Sequence, residues 1–335
     1  MRDEKVVFIL GAGASHTYGY PLGKELRYRI VKRYPNVLNE LTRSLKKSTI
    51  INNYSSFNSS SSEFITKFSL SADLSIDLFL SKFPGFAFEG KMAIMYLILE
   101  AEKASVFLED LANRIKMLKK DGNIIDEADD WIWHLYDKLT RRFNSPQKYS
   151  EINFDNISFV TFNYDRSLEY FLYTALENGF NYKQIGGSPK ELFDRIKIEH
   201  VYGKVIELPW ERKEGKTALG YRGFNVNTTQ ISEWVKNIRI IYDNRKKDLE
   251  NIHTVIRDAN KIYFLGFGYD ITNLKLLGFP EILSSDQIIY GTGYGLYEEE
   301  IGNIVNFFLK AKISSKPLIL NSNCTDLLRR YYFTE

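Results

Sequence analysis

Short apolar runs that end in glycine, asparagine or aspartate recur along the chain. The first is Val6–Leu10, five apolar residues that lead directly into Gly11-Ala12-Gly13. An uninterrupted apolar run of this length is typical of a strand buried on both faces of a parallel sheet. The same reasoning predicts further strands within residues 156–162, 198–203, 261–268, 287–293 and 317–320.

Apolar positions with helical spacing occupy most of the sequence between these runs. The spacing of Leu22, Leu26 and Ile30 predicts a helix over residues 22–34, which Pro35 ends. Capping residues and apolar periodicity predict further helices within residues 75–80, 91–120, 129–143, 166–179, 230–257 and 324–332.

Residues 36–150 contain helical patterns but no convincing strand alternation. Their serine-rich segment, residues 52–62, is polar and is predicted to be an exposed, mobile loop. We therefore expect an α/β fold, a Rossmann-like doubly wound parallel sheet with a helical insertion. The sheet domain is formed by residues 1–35 and 151–335, and residues 36–150 form the insertion.

The composition is that of a globular protein with nearly balanced charge. The chain has 335 residues, 44% of them hydrophobic and 15% aromatic, so it is long and apolar enough to bury a substantial core. Its 45 basic and 42 acidic residues leave a net charge of +3, and its basic doublets are scattered. This balance does not favour a nucleic-acid-binding or membrane surface, so we expect neither partner.

Cysteine and histidine usage restricts the metal chemistry. Cys324 is the single cysteine, which excludes an intramolecular disulfide and a zinc site of four cysteines. The four histidines show no close pair typical of metal ligands, so no zinc or other metal is expected. No apolar run reaches the roughly 20 residues of a membrane helix. Val6–Leu10 is too short for a signal-peptide core, and a cytoplasmic location is expected.

Polar residues with catalytic chemistry follow the predicted strands. Asn163 and Asp165 come directly after the second strand, and ligands bind at the carboxyl ends of strands in open α/β sheets. Strand alternation places His200 and Tyr202 on the same side of the third strand. Together with the turn at Gly11–Gly13, these residues predict a shared nucleotide site.

Each of these signals has a plain structural alternative. The first turn lacks the third glycine of a dinucleotide-binding fingerprint and carries His16 in its place. Asp165 is equally suited to cap the helix that follows it. Gly266, Gly268 and Thr292, which follow two later strands, also suit ordinary turns.

Taken in order, these segments resemble the motifs of the sirtuin family. Residues 11–15, followed by Pro21, resemble the sirtuin glycine loop, and residues 161–165 (Thr-Phe-Asn-Tyr-Asp) resemble the Thr-Gln-Asn-x-Asp segment. Residues 200–203 (His-Val-Tyr-Gly) fall where sirtuins carry the catalytic His-Gly. Residues 265–269 fall where they carry a Gly-Thr-Ser turn.

Three departures from the sirtuin pattern indicate a particular branch. Protein-deacylating sirtuins carry a four-cysteine zinc module, which this chain, with one cysteine, cannot form. They also carry an Asp-Phe-Arg segment, where this chain has Leu22-Gly23-Lys24. The residue directly before Gly203 is Tyr202 and not histidine. The sequence more closely resembles the sirtuin-like domains of bacterial anti-phage defence systems, in which the site hydrolyses NAD.

This resemblance implies an NAD+ glycohydrolase that releases nicotinamide and ADP-ribose as the effector of abortive infection. NAD is then a substrate. The resemblance also implies a homo-oligomer and a partner such as a HerA-type ATPase or an Argonaute-like protein. The alternatives are a non-catalytic subunit that binds NAD or ADP-ribose, whose insertion docks a partner, and an NAD-dependent protein deacylase.

The resemblance further implies roles for the site residues. Asn163 would position the attacking water or a ribose hydroxyl, and Asp165 would place a negative charge near the ribose or bond nicotinamide. The base is either His200, favoured because histidine ordinarily titrates near neutral pH, or Tyr202. The residues expected to bind NAD are Gly11, Ala12, Gly13, Ser15, Pro21 and Thr161, with Gly266, Gly268 and Thr292 on the adenosine side.

Overall fold

The computed structural model of the chain describes residues 4–47, 54–105, 130–141, 154–182, 187–225, 231–240 and 246–332. Its strands are β1 (Val6–Leu10), β2 (Ile157–Thr161), β3 (Lys197–His200), β4 (Lys261–Leu265), β5 (Ile288–Thr292) and β6 (Leu318–Leu320). All pair in parallel in one sheet, in the order β3-β2-β1-β4-β5-β6. The predicted α/β fold with a doubly wound parallel sheet is confirmed.

Strand β1 lies in the middle of the sheet, and the chain moves outward from it in both directions. Leu10, at its carboxyl end, pairs with Thr161 of β2 and Leu265 of β4. Because these three strands end at the same level, the loops that follow them emerge side by side. The strand order reverses between β1 and β4, which is where open α/β sheets bind their ligands.

A row of aromatic rings fixes the register of four strands. Phe159, Phe8, Tyr263 and Tyr290 lie opposite one another on β2, β1, β4 and β5, with successive ring centroids 5.3, 5.3 and 5.0 Å apart. Such pairs contribute roughly 0.5–1.5 kcal/mol each beyond the area they bury. A one-residue slip of any strand would turn its ring to the other face of the sheet, so the row holds the strand ends level.

Helices follow most of the strands. After β1 come α1 (Ala12–His16) and α2 (Gly23–Lys32). The insertion contributes α3 (Tyr34–Lys47), α4 (Tyr54–Leu70), α5 (Ile76–Lys82), α6 (Ala87–Ala104) and α7 (Trp131–Thr140). The remaining helices are α8 (Ser167–Gly179), α9 (Pro189–Phe193), α10 (Ile231–Trp234), α11 (Lys246–Asp258), α12 (Ile271–Leu276), α13 (Glu298–Leu309) and α14 (Cys324–Tyr331).

The prediction of a mobile loop over residues 52–62 is wrong from residue 54 onward, where α4 begins. Residues 52 and 53 lie outside the described residues. Phe57, Phe64 and Phe68 recur at helical spacing and are buried in the hydrophobic core that they share with the sheet. Their packing outweighs the weak helix preference of the serines between them, because tertiary contacts routinely override intrinsic propensity.

Two other helix predictions differ from the structure only at their ends. The first helix ends at Lys32, and Pro35 lies in the first turn of α3, where its missing N–H group is not needed. Helix α6 ends at Ala104 because Ser105 adopts an extended backbone. The rest of that predicted helix, residues 106–120, lies outside the described residues.

The prediction of one helix over residues 230–257 is wrong. Helix α10 and a 3₁₀ turn end at Asn237, and Ile238 is extended. The backbone N–H of Arg239 instead donates to the carbonyl of Tyr202 at 2.9 Å, so the chain pairs here with the turn after β3. This long-range backbone contact leaves no trace in the local periodicity.

The composition leads to expectations about the single cysteine and about membrane-spanning helices. Cys324 is buried at the start of α14, as expected for a small core residue. Within the part of the chain that the structure describes, no helix is long and apolar enough to cross a membrane.

Candidate functional site at the carboxyl end of the sheet

The turn after β1 packs directly against the turn after β4. The N–H of Gly11 donates to the carbonyl of Leu265 at 3.0 Å, and that of Gly13 to the carbonyl of Gly266 at 2.9 Å. A Cβ added to Gly11 would lie 2.5 Å from the oxygen of Gly266, and one added to Gly266 would lie 2.0 Å from the nitrogen of Ala14. Contact between the two loops therefore explains these glycines without any phosphate.

Asn163 connects the ends of three strands. Its Nδ2 donates to the carbonyl of Gly11 at 3.0 Å and to Ser15 Oγ at 2.8 Å. Its backbone N–H donates to Thr161 Oγ1 at 3.0 Å, and its carbonyl oxygen lies 3.0 Å from Nδ1 of His200. Among the described residues Oδ1 has no hydrogen-bond partner. With both amide N–H groups used, Oδ1 is the acceptor that Asn163 offers to a ligand.

Asp165 is buried beside the same turn. Its Oδ1 accepts hydrogen bonds from the backbone N–H of Ser167 at 3.0 Å and from the Ser167 hydroxyl, so it supports the start of α8 from the position before the N-cap residue, Arg166, and is not itself the predicted N-cap. Burial raises the pKa of Asp165, and hydrogen bonds from Ser167 and Ser15 offset this only partly. A positive charge brought near Asp165 would therefore favour its ionised form.

His200 ends β3 with both ring nitrogens facing oxygen atoms. Nδ1 lies 3.0 Å from the carbonyl oxygen of Asn163, and Nε2 lies 2.6 Å from Oε1 of Glu169. A neutral imidazole donates from only one nitrogen, so both contacts are hydrogen bonds only when the ring carries two protons. A general-base role for His200 therefore requires one of these contacts to open.

Glu169 and Lys204 form a buried charge cluster that sequence reasoning missed. Lys204 Nζ lies 3.3 Å from Oε1 of Glu169 and 2.6 Å from Oε1 of Glu211. Burial alone would raise the pKa of Glu169, but Lys204 and His200 outweigh it and hold this pKa well below its ordinary value. Neither Glu169 nor Lys204 belongs to a recognisable motif, and Glu169 reaches His200 across 31 positions of the chain.

Tyr202 packs against both neighbours of Asn163, with its ring centroid 5.5 Å from that of Phe162 and 6.2 Å from that of Tyr164. Strand β3 ends at His200, and the chain turns at Gly203, whose φ is +69°. The Tyr202 hydroxyl donates to Oδ1 of Asn273 on α12 at 2.6 Å, whereas His200 contacts α8. The prediction that one strand spans residues 198–203 is therefore wrong beyond His200, so strand alternation does not determine the direction of the Tyr202 side chain.

The other residues expected to bind NAD differ in their surroundings. Thr292 Oγ1 accepts the backbone N–H of Gly266 at 2.8 Å and so supports the second glycine turn. Gly268 is exposed, and a Cβ added there would meet no atom within 4 Å. Ala12 is half-buried and Pro21 is buried.

The helical insertion contacts both of the first two motifs. The buried indole N–H of Trp131, on α7, donates to the carbonyl of Ala14 at 2.8 Å. The hydroxyl of Tyr164 donates to Oδ1 of Asp77, on α5, at 2.7 Å. The insertion is therefore bonded to the turn after β1 and to the loop after β2.

Arg166, at the start of α8, forms a fully buried ion pair with Glu102 of α6. Its Nε and Nη2 each lie 2.8 Å from a carboxylate oxygen, and both side chains are 0% exposed. This contact, between residues 64 positions apart, has no local sequence signal. The remaining guanidinium N–H groups donate to the carbonyls of Glu207, Leu219 and Gly220.

The described residues contain no group of three or more His, Cys, Asp or Glu side chains arranged to hold a metal ion. The fold and site define an α/β protein with a Rossmann-like parallel sheet whose polar residues gather at the carboxyl ends of its strands. No protein-family model matches the sequence, and no curated protein is significantly similar to it.

Proposed function

We propose that the chain is an NAD+ glycohydrolase that cleaves NAD to nicotinamide and ADP-ribose, as the effector of an anti-phage, abortive-infection system. The network around Asn163 carries the proposal. Its side chain bonds the turn after β1, and its carbonyl faces His200 at the end of β3. Three segments that resemble sirtuin motifs thus meet at the edge where α/β sheets bind nucleotides.

The proposed reaction breaks the bond between the anomeric carbon of ribose and the nicotinamide nitrogen. Nicotinamide leaves as a neutral amine, so the site has no leaving group to protonate. It needs to position a water molecule and stabilise an oxocarbenium-like ribose, and the proton that the water loses on bonding the anomeric carbon passes to solvent. Asn163 Oδ1 is suited to accept a hydrogen bond from that water or from a ribose hydroxyl. Asp165, buried nearby, would stabilise the developing positive charge, and that charge would favour the ionised carboxylate.

NAD would lie across the turns after β1 and β4. Its pyrophosphate would approach residues 11–15, and its adenosine would extend toward the exposed Gly268. The N–H of Gly13 already bonds Gly266, so the pyrophosphate would have to use other donors of this turn or displace that bond.

The biological setting of the proposal rests on the sirtuin-like resemblance alone. It comprises a cytoplasmic homo-oligomer without zinc, working with a partner such as a HerA-type ATPase or an Argonaute-like protein. The helical insertion would dock such a partner, and its bonds to Ala14 and Tyr164 would connect the partner with the site.

The decisive experiment measures nicotinamide release from NAD by the purified chain, alone and with the product of a neighbouring gene. Asn163→Ala removes the acceptor and the link between strands, and release should fall by about 10²–10³-fold. Asn178→Ala is the matched control, because Asn178 is exposed on α8 and bonds only the carbonyl of Thr174 among the described residues. Unchanged release by a folded Asn163→Ala variant would refute the site. No release under any condition would refute the activity.

A non-catalytic subunit that binds NAD or ADP-ribose is the second candidate function. It is favoured by the engagement of both His200 nitrogens, which leaves no lone pair there to accept a proton. Calorimetric binding of NAD without any nicotinamide release would support this reading. An NAD-dependent protein deacylase, the third candidate, would consume NAD only in the presence of an acylated peptide.

A further inference from the structure

His200 is held between two groups that only accept hydrogen bonds. The carbonyl oxygen of Asn163 lies on its Nδ1 side at 3.0 Å, and the carboxylate of Glu169 lies on its Nε2 side at 2.6 Å. The side chains of His200 and Glu169 are only 9% and 2% exposed, so water has little access to either contact. The doubly protonated ring is the form that satisfies both acceptors.

The charged groups around this contact require a second cation. Glu169 accepts from His200 on β3 and from Lys204 in the following loop, and Lys204 also bonds Glu211. Burial alone would lower the pKa of Lys204, but the two carboxylates outweigh it and raise this pKa above its ordinary value. The buried carboxylate of Glu169 and the half-buried carboxylate of Glu211 thus share one lysine. An imidazolium at His200 balances the charge of the cluster, and buried charges are stable when paired.

We propose that Glu169 is a positioning residue that holds His200 as an imidazolium, so that His200 fixes the backbone carbonyl of Asn163 instead of accepting a proton. The chain of contacts runs from Glu169 through His200 to Asn163, and from there to Gly11 and Ser15. Its consequence for catalysis rests on the proposed hydrolysis of NAD. A displacement of Asn163 by about 1 Å would cost roughly 10²-fold in rate.

The first arm of the test needs no NAD. The four histidines of the full chain are labelled with ¹⁵N, and the resonances of His200 are assigned by their loss in His200→Gln. At neutral pH, both ring nitrogens of His200 should carry a proton in the unchanged chain, and only one should in Glu169→Gln. A single protonated nitrogen in the unchanged chain would overturn the proposal. So would an imidazolium that persists in Glu169→Gln.

The second arm measures nicotinamide release. Glu169→Gln should lower kcat by about 10²-fold with little change in KM for NAD, because it misplaces Asn163 without removing a ligand contact. Glu177→Gln is the matched control, because Glu177 is exposed on the same helix and lies outside the cluster, so this variant should retain the activity of the unchanged chain. Equal activity of the two variants would overturn the proposal. If the unchanged chain releases no nicotinamide, the proposed function fails, and the NMR arm alone decides the role of Glu169.

Discussion

Gly266→Ala tests whether the two glycine turns depend on direct contact with each other. An alanine Cβ at this position would lie 2.0 Å from the nitrogen of Ala14 and 2.3 Å from the carbonyl carbon of Gly13. Both atoms belong to the backbone, so no side-chain rotation relieves the overlap. The φ of +56° at Gly266 is also a conformation that residues with a Cβ rarely adopt.

The two effects add to a sizeable loss of stability. A left-handed backbone costs a residue with a Cβ about 1–2 kcal/mol. The overlap forces a backbone shift of the kind that costs about 1–3 kcal/mol when a well-packed region is overfilled. The free energy of unfolding should therefore fall by about 2–5 kcal/mol. The unfolding entropy of a chain of this length is on the order of 0.7 kcal/mol/K, which converts the loss into a Tm about 3–7 °C lower.

Thermal and urea unfolding, followed by tryptophan fluorescence, measure this loss. Gly268→Ala is the matched control, since it lies in the same loop, lacks a positive φ and has no atom within 4 Å of the added Cβ. Its unfolding free energy should stay within about 0.5 kcal/mol of that of the unchanged chain. If Gly266→Ala is no less stable than Gly268→Ala, the packing of the two turns described above is incorrect.

Two further predictions concern the buried charges next to Asn163. Glu102→Gln leaves the guanidinium of Arg166 buried without its anion and should cost about 3–5 kcal/mol in urea unfolding, whereas a cost below about 1 kcal/mol would contradict the buried pair. Burial raises the pKa of Asp165, so the folded chain binds the carboxyl proton more tightly than the unfolded chain does. The stability that this difference contributes is present in acid and is lost as pH rises above the ordinary carboxyl range. Asp165→Asn should therefore raise the Tm at neutral pH and give no gain in acid, whereas the same gain at both pH values would exclude this explanation.

The parallel sheet could be predicted because its signal is local. Each buried strand is a short apolar run followed by a turn residue, as at Val6–Leu10 and Gly11, and such runs are visible without any knowledge of their partners. The meeting of Asn163 with the first turn also follows from the fold class. Parallel strands present their carboxyl ends at one edge, and the register of β1 and β2 then brings the loops together.

Sequence reasoning failed where long-range contacts decide the structure. Glu169 reaches His200 only because α8 folds back beside β3, and no motif marks either the glutamate or Lys204. The serine-rich segment was misinterpreted because the burial of Phe64 depends on helices elsewhere in the insertion. The alternation that paired Tyr202 with His200 assumed a strand longer than the one that forms.

The contacts of the insertion bear on how the site would be controlled. The insertion does more than pack against the sheet, because it also bonds the backbone of the turn after β1. Here Trp131 bonds the carbonyl of Ala14, one residue from Ser15, and Glu102 neutralises Arg166, which directly follows Asp165. Removing or shifting the insertion would therefore leave a buried guanidinium unpaired and release the turn that bonds Asn163. The insertion is part of the structure of the site, and a partner that binds it would act on the site through these bonds.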